Sequence, residues 1–492
     1  MRWLLFVLLL VSAAAVSPAA STAGRILRLK LHRRPDLAGP SRLDLLRSMY
    51  YGDRRRQRMI AGQISRRRSA CAVSPAPAPA GEQAIEMPVW SGAYTGTGQY
   101  FVRVRLGTPA QPFLLIPDTG SDLTWVTCRY VGRGDDSPDD SLGPTASIAG
   151  NRSRGGRSPS AGRPSRRVFQ ADLSRSFRPI TCSSDLCRTQ LPFSLTTCPT
   201  TASPCAYDYV YGDGSSAQGF FANESATVEL LDHRRTKLKG LVVGCTSSAV
   251  GSSFVASDGV LALGHGPNTF VSRAGAHFGH RFSYCLVDHL SPRNATGYLT
   301  FGPNPDLISP HSSFPTAAAH LILDPSLDPF YYVAVAGLSV AGKVLRISPG
   351  VWNASNGGGV IVDSGTTLTV LAEPAYTAVV AALSRSLAAV PRVEVDPFEY
   401  CYNWTTAEAR VAAVPDFTVH FVGSAKISPP SKSYLIDVAA GVKCIGFTST
   451  PWPGVSTIGN ILQQEHIWEF DLQNQRLRFR RSNCTAGSYY HH

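Results

Sequence analysis

Apolar and polar residues alternate through Tyr100–Leu106 (YFVRVRL), and Gly107, Thr108 and Pro109 follow. Period-two alternation marks a strand with one face on a core, and Gly-Thr-Pro reads as the turn that ends it. A second apolar strand is predicted at 113–116. Further on, apolar runs separated by Gly and Asp predict many short strands. One stretch, about 374–389, has helical spacing. Residues 131–170 break the pattern. They are Asp, Arg, Ser, Gly and Pro with almost no apolar content, and read as a long surface insertion. The ordered body is expected to start near Gly98, and its class to be mostly β.

The pattern also repeats. Residues 116–126 (IPDTGSDLTWV) align with 361–371 (IVDSGTTLTVL), with Ile, Asp, Gly, Leu and Thr identical and two Ser/Thr exchanges. An apolar segment with small residues follows each copy at a distance: Val260 to Gly264, and Thr457 to Asn460. Two related halves are the natural inference.

The repeat carries chemistry. Asp118-Thr119-Gly120-Ser121 and Asp363-Ser364-Gly365-Thr366 share the form D-[ST]-G-[ST]. Turns capping strands would explain the Asp and Gly but not the repeated hydroxyls. Two carboxylates brought together cannot both ionise easily, so they share a proton. Such a pair is general base and general acid at once, able to activate water against an amide. Glycine after each Asp permits a tight turn and close approach, and the hydroxyls can orient the carboxylates. No metal or covalent nucleophile is needed, and no cofactor is expected.

Composition narrows the setting. The 492 residues allow about three units or one large two-lobed body. The formal charge is +13. Residues 1–90 hold 15 Lys/Arg against five Asp/Glu, and loop 132–170 holds seven Arg against four Asp. The rest of the body is neutral in sum, so nucleic acid is not an expected partner. Arg2, the apolar run 4–11 and small residues to Ala20 read as a signal peptide over 1–22, hence a secreted protein. No other window is apolar enough for a membrane anchor. Residues 23–90 read as a basic propeptide and linker, with tribasic runs at 54–56 and 66–68 as processing sites and a Pro/Ala spacer at 74–80. The other reading of this segment is a retained basic arm that binds polyanions. Of 11 cysteines, Cys71 lies in the leader, which leaves ten for five disulfides in an oxidising compartment. Sequons at Asn151, Asn223, Asn294, Asn353, Asn403 and Asn483 point to a glycoprotein.

With these motifs in view, the chain resembles the pepsin-like aspartic proteases, and within them the plant nepenthesin-like group. The carrying segments are SGAYTGTGQYFVRVRLGTP (91–109), DTGSDLTWV (118–126), YDYVYGDGSSAQGFF (207–221), RFSYCL (281–286), VDSGTTLT (362–369) and STIGNILQQ (456–464). The resemblance implies a mostly β, bilobal fold, with two pseudo-twofold related lobes and a cleft between them. The N-terminal lobe would span 91–325 with the insertion 131–170. The C-terminal lobe would span 326–484, before a polar tail at 485–492. It implies Asp118 and Asp363 as the catalytic pair. Ser121 and Thr366 would bond the outer carboxylate oxygens, and Thr119 and Ser364 would clasp the two loops. Tyr211 with Gly212, Asp213 and Gly214 would form a flap over substrate, and Trp125 would bond Tyr211. The implied disulfides are Cys128–Cys245, Cys182–Cys205, Cys187–Cys198, Cys285–Cys484 and Cys401–Cys444.

Two departures from the family pattern stand out. Pro117 removes a backbone donor just before Asp118, and Ala262 replaces a glycine behind the first loop. The main reading is a monomeric secreted acid endopeptidase of protein or peptide substrates, extracellular or vacuolar, made as a zymogen. Lys30 or Arg28 is the expected leader partner of the carboxylates. The alternative is an inactive homologue that acts as an extracellular binding or inhibitor-target protein. A DNA-associated protease would need a transit peptide, and 4–11 has the wrong composition for one.

Overall fold

The computed structural model describes residues 41–67, 84–92, 98–131, 167–191, 198–211, 214–230, 234–251, 254–292, 294–308 and 314–485. The signal-peptide reading, Arg28, Lys30, Asn151, Gly212, Asp213 and most of the insertion lie outside them. Helix α1 (Arg42–Arg67) comes first, followed by β1 (Ile85–Ser91), β2 (Tyr100–Leu106), β3 (Gln111–Asp118) and β4 (Trp125–Arg129). The alternation in β2 has its expected result: Val102, Val104 and Leu106 are buried, while Arg103 and Arg105 are half-buried.

The chain is mostly β. Among the described residues, one 20-stranded sheet carries both halves, and two four-stranded sheets lie in the C-terminal half. Each half repeats one local plan. In the first, β3 runs parallel to Gly259–Ala262, with Asp118 beside Ala262, and β4 pairs with the same segment from the other side. In the second, Val360–Val362 runs parallel to Ser456–Ile458, and Thr369–Ala372 pairs with that segment. Each motif aspartate therefore sits where a strand ends against a crossing segment. Backbone bonds seal both joints: Leu263 N–H to the Asp118 carbonyl (2.8 Å) and Asp363 N–H to the Ile458 carbonyl (3.2 Å).

Order begins earlier than the pattern suggested. β1 pairs with β2 and with Gly297–Phe301. It was hidden because six of its seven residues are buried, so no alternation shows. It is part of the sheet, so ordered backbone reaches back into the segment read as leader. The insertion also ends sooner, since Phe169 is buried and pairs with Cys128. The predicted 374–389 helix is Glu373–Ser386. Beyond it the chain tightens into turns, with Ala388 N–H on the Arg385 carbonyl (3.4 Å) and Val390 N–H on the Leu387 carbonyl (2.9 Å).

Three disulfides match expectation: Cys128–Cys245, Cys285–Cys484 and Cys401–Cys444. The other two are exchanged, being Cys182–Cys198 and Cys187–Cys205. Register is the reason. Thr181 pairs with Pro204, and Cys205 N–H bonds the Ile180 carbonyl, so Cys205 lies beside Ile180 rather than Cys182. The short helix Leu186–Gln190 brings Cys187 into the same apolar cluster as Cys205. Of the described sequons, Asn294, Asn353 and Asn483 are exposed, while Asn223 and Asn403 are half-buried. Among the described residues no helix is long and apolar enough to cross a membrane.

Candidate active site

The two D-[ST]-G-[ST] loops meet. Thr119 N–H donates to Ser364 Oγ (3.1 Å), and Ser364 N–H donates to Thr119 Oγ1 (2.9 Å). Thr119 Oγ1 donates to the Val362 carbonyl (3.1 Å), and Ser364 Oγ to the Pro117 carbonyl (3.0 Å). Thus Pro117 costs an N–H but keeps the carbonyl that the clasp uses. Both carboxylates are buried. Ser121 Oγ donates to Asp118 Oδ2 (2.7 Å), and Thr366 Oγ1 to Asp363 Oδ2 (2.6 Å). Gly120 and Gly365 N–H groups hold the Oδ1 atoms at 3.0 and 2.9 Å. A Cβ on Gly120 would lie 2.8 Å from Asp363 Oδ1, so glycine is needed for the carboxylates to face each other.

Between them lies Arg56 of α1. Its Nη2 is 2.5 Å from Asp118 Oδ1 and 3.0 Å from Asp363 Oδ1, and its Nε donates to Asp363 Oδ2 at 2.7 Å. Lys30 and Arg28, the expected partners, lie outside the described residues, and the position is filled by Arg56. The run 54–56, read as a processing site, is inside a helix with Arg56 buried. The site's charges follow from this contact. Burial works to raise the Asp363 carboxyl, but the Arg56 charge and hydrogen bonds, with Thr366 and Gly365, hold it below its ordinary value. Burial raises the Asp118 carboxyl, and the neighbouring Asp363 charge adds to that against the pull of Arg56. The two carboxyls are thus shifted in opposite directions, Asp118 up and Asp363 down.

The rest of α1 seats this arginine. Leu46, Met49 and Tyr50 pack with Leu368, Phe398 and Ile436. Ile60 and Ile64 pack with Leu327, Phe330 and Tyr332. Each such burial is worth roughly 1.5–3 kcal/mol, which offsets the desolvation of the polar residues between them. Those are Asp53, Arg56 and Gln57. Asp53 accepts the N–H groups of Thr367 (2.8 Å) and Leu368 (2.6 Å). Gln57 bonds the Val455 carbonyl and Thr457 Oγ1. Sequence reasoning missed this helix because its buried face is polar in the middle. The residues 46, 49, 50, 53, 56, 57, 60 and 64 do keep helical spacing, and that was the available signal.

Tyr211 follows the hairpin strand Ala206–Val210, which pairs with Ser216–Glu229. Its hydroxyl accepts from Trp125 Nε1 at 2.5 Å, and burial raises its pKa well above the ordinary value. Gly214, at φ +81°, makes the turn back. A cavity of ≈ 50 Å³ remains between Tyr211, Asp118, Ile116 and the α1 residues Met49 and Asp53.

A family model described as Xylanase inhibitor N-terminal matches residues 100–303, and Xylanase inhibitor C-terminal matches 330–481. The chain is 32% identical to Aspartyl protease family protein 2 of Arabidopsis thaliana over 90% of its own length and 81% of that protein's. It is 30% identical to aspartic proteinase nepenthesin-1 of Nepenthes gracilis, covering 81% of each chain. The chain belongs to the pepsin-like aspartic proteases, in the plant nepenthesin-like group. Among solved structures it is similar to edgp, with a TM-score of 0.60 at 19% identity, over 84% of this chain and 97% of that one. Basic 7S globulin from soybean gives 0.58 at 18% identity, over 81% and 97%. Those likenesses show the bilobal fold.

Proposed function

We propose that this member of the family is a secreted aspartic endopeptidase, made as an inhibited precursor, with Asp118 and Asp363 as its reacting pair at acidic pH. One observation carries the reading. A single atom, Arg56 Nη2, lies within hydrogen-bond reach of an oxygen of each carboxylate. A water oxygen at that point, once α1 has left, would touch both in the same way.

The chemistry then follows. The ionised carboxylate takes a proton from the water as its oxygen attacks the peptide carbonyl. The protonated partner gives its proton to the carbonyl oxygen. Proton transfer to nitrogen then breaks the C–N bond and releases the amine. Ser121 and Thr366 hold the outer oxygens, which reserves the inner ones for water. The hairpin carrying Tyr211 would close over substrate and exclude solvent.

α1 is the inhibitory part of the leader, and the cut that frees it falls between its end and β1. Acid favours release through Asp363. Its docked pKa is depressed, so its contribution is present above the ordinary carboxylate pKa and lost as pH falls through the docked value. The test is incubation of the full chain at about pH 3–4, near the carboxylate range. Shortening and digestion of a peptide library, with and without a statine-type inhibitor, are followed. Shortening together with inhibitor-sensitive cleavage is expected, and a shortened chain with no cleavage at any pH overturns the reading. A second reading, an inactive binding protein, is favoured by the matching models being described as xylanase inhibitor domains. The intact pair of motifs weighs against it, and the same digestion separates the two.

A further inference from the structure

His289 is buried beside the second aspartate loop and plays no part in the chemistry above. Its ring stacks on Tyr100, with centroids 4.7 Å apart and planes 21° apart. Both ring nitrogens are engaged. Nδ1 is 2.6 Å from Ser91 Oγ, and Nε2 is 3.1 Å from Asn460 Oδ1.

Asn460 decides which nitrogen carries the proton. Its Nδ2 donates to the carbonyls of Gly98 (2.8 Å) and Ser364 (3.0 Å). Two carbonyls can be served only by the amide nitrogen, so Oδ1 must be the end that faces His289. An amide oxygen only accepts, so His289 Nε2 bears the hydrogen. Nδ1 is then a bare acceptor, and the Ser91 hydroxyl donates to it. Asn460 N–H also donates to the Thr366 carbonyl at 2.7 Å. The chain of bonds thus runs from Ser91 on β1, through His289, to the backbone on either side of Gly365.

We propose that neutral His289 is a positioning residue for Asp363, acting through Asn460 on the loop 363–366. The proposal rests on the peptidase reading above. A protonated ring would have two donors, and Ser91 would have to turn its hydroxyl hydrogen away. The site opposes that state. Burial pushes the His289 imidazole down to about 4, against smaller opposing effects of Asn460, Asp288 and Gly98. The charged groups nearby are Asp288, Lys432 and Glu465: Lys432 holds Asp288 at 2.6 Å and Glu465 at 2.8 Å, which leaves one net negative charge against the burial of the ring. On the β2 side, burial keeps the Tyr100 hydroxyl protonated. The acid limit of activity therefore includes a proton that lands outside the aspartate pair.

The test uses the full chain, matured in acid, as wild type, His289→Gln and His289→Phe, with Asp118→Ala as blank. Glutamine can accept from Ser91 and donate to Asn460 but does not titrate in this range. His289→Gln should keep its kcat at about pH 5, near the neutral-ring range, and hold it to lower pH than wild type does. His289→Phe should lose about tenfold in kcat with KM unchanged, the equivalent of one hydrogen bond. An acid limb in His289→Gln that coincides with wild type overturns the proposal, as does equal loss in both variants. A second readout needs no catalysis: ¹⁵N NMR of the full chain should show the His289 hydrogen on Nε2 at pH 6. Finding it on Nδ1 overturns the relay. A wild-type chain without peptidase activity overturns the peptidase reading and with it the positioning role, whatever the tautomer.

Discussion

The two aspartate loops share a motif, a clasp and a strand plan, yet they are not equivalent. The first is built around Pro117 and Ala262, and it faces the Trp125–Tyr211 pair. The second has Val362 and Gly459 at the matching places. Val362 N–H bonds the Tyr331 carbonyl (3.1 Å), a bond that Pro117 cannot make. A Cβ on Gly459 would lie 2.5 Å from the Leu368 carbonyl oxygen, whereas Ala262 is accommodated with its methyl buried. The second loop also has more partners. It is braced by Asn460 and capped by Asp53, and it takes two of the three Arg56 bonds. Apart from α1 itself, the buried residues of both clusters that hold the helix lie beyond residue 326. A symmetric motif is thus placed in an asymmetric field, and that splits the two carboxyls in opposite directions. Helix α1 packs on the second half and reaches the first mainly through one guanidinium.

The sharpest challenge to this comparison is to remove each aspartate in turn. Asp118→Ala and Asp363→Ala should each cost at least about 10³-fold in kcat on an acid-matured chain, because the pair acts as a unit. Peptide digestion measures it, and substantial activity left in either variant would mean that the halves do not share the work. Next comes the arginine. Arg56→Gln leaves the pair without its cation, and breaking a buried ion pair costs about 3–5 kcal/mol. Binding of a statine-type inhibitor to the full chain at about pH 5, where an ordinary carboxylate is ionised, should strengthen by at least about 100-fold over wild type. Calorimetry reads it, and unchanged affinity would show that α1 blocks the cleft without Arg56.

The clasp should behave symmetrically where the charges do not. Thr119→Val and Ser364→Ala each strand a buried N–H and a buried carbonyl, at about 1–3 kcal/mol per orphaned group. Urea midpoints should fall by similar amounts in the two variants. A loss confined to one would assign the clasp to one half. The last test concerns Asp53. Burial pushes its carboxyl up to about 7, against the two backbone N–H bonds. A raised pKa means that docked α1 holds a proton that a free helix, with an ordinary Asp near about 4, does not. Docking should therefore tighten as pH falls from about 7 to about 4, and loosen only below, where Asp363 protonates. Hydrogen exchange of α1 should follow that course in wild type, by up to about 10³-fold for a difference of about three pKa units. In Asp53→Asn it should be flat between about pH 4 and 7.

How much of this was legible depends on where each interaction is encoded. The pairing of Asp118 with Asp363 could be read because each tetrapeptide carries its own turn, hydroxyl and carboxylate, and the copies announce one another. β2 could be read because one of its faces meets a core. β1 could not, since a strand buried on both faces has no period. The cysteine pairing 182–198 and 187–205 needed the Thr181–Pro204 register, a one-residue matter that spacing does not specify. Arg56 looked like a cleavage signal because the three arginines are identical in sequence and differ only in which way the helix turns them.

By itself the sequence determined the class, the two halves and the identity of the facing acids, because those are local patterns written twice. Tertiary structure alone decided which arginine lies between them, which carboxyl is pushed up and which down, and which histidine meets Asn460. Those depend on burial and on contacts between residues far apart in the chain: Arg56 meets an aspartate 307 residues away. A charge takes its meaning from what surrounds it, and no stretch of sequence carries its own surroundings.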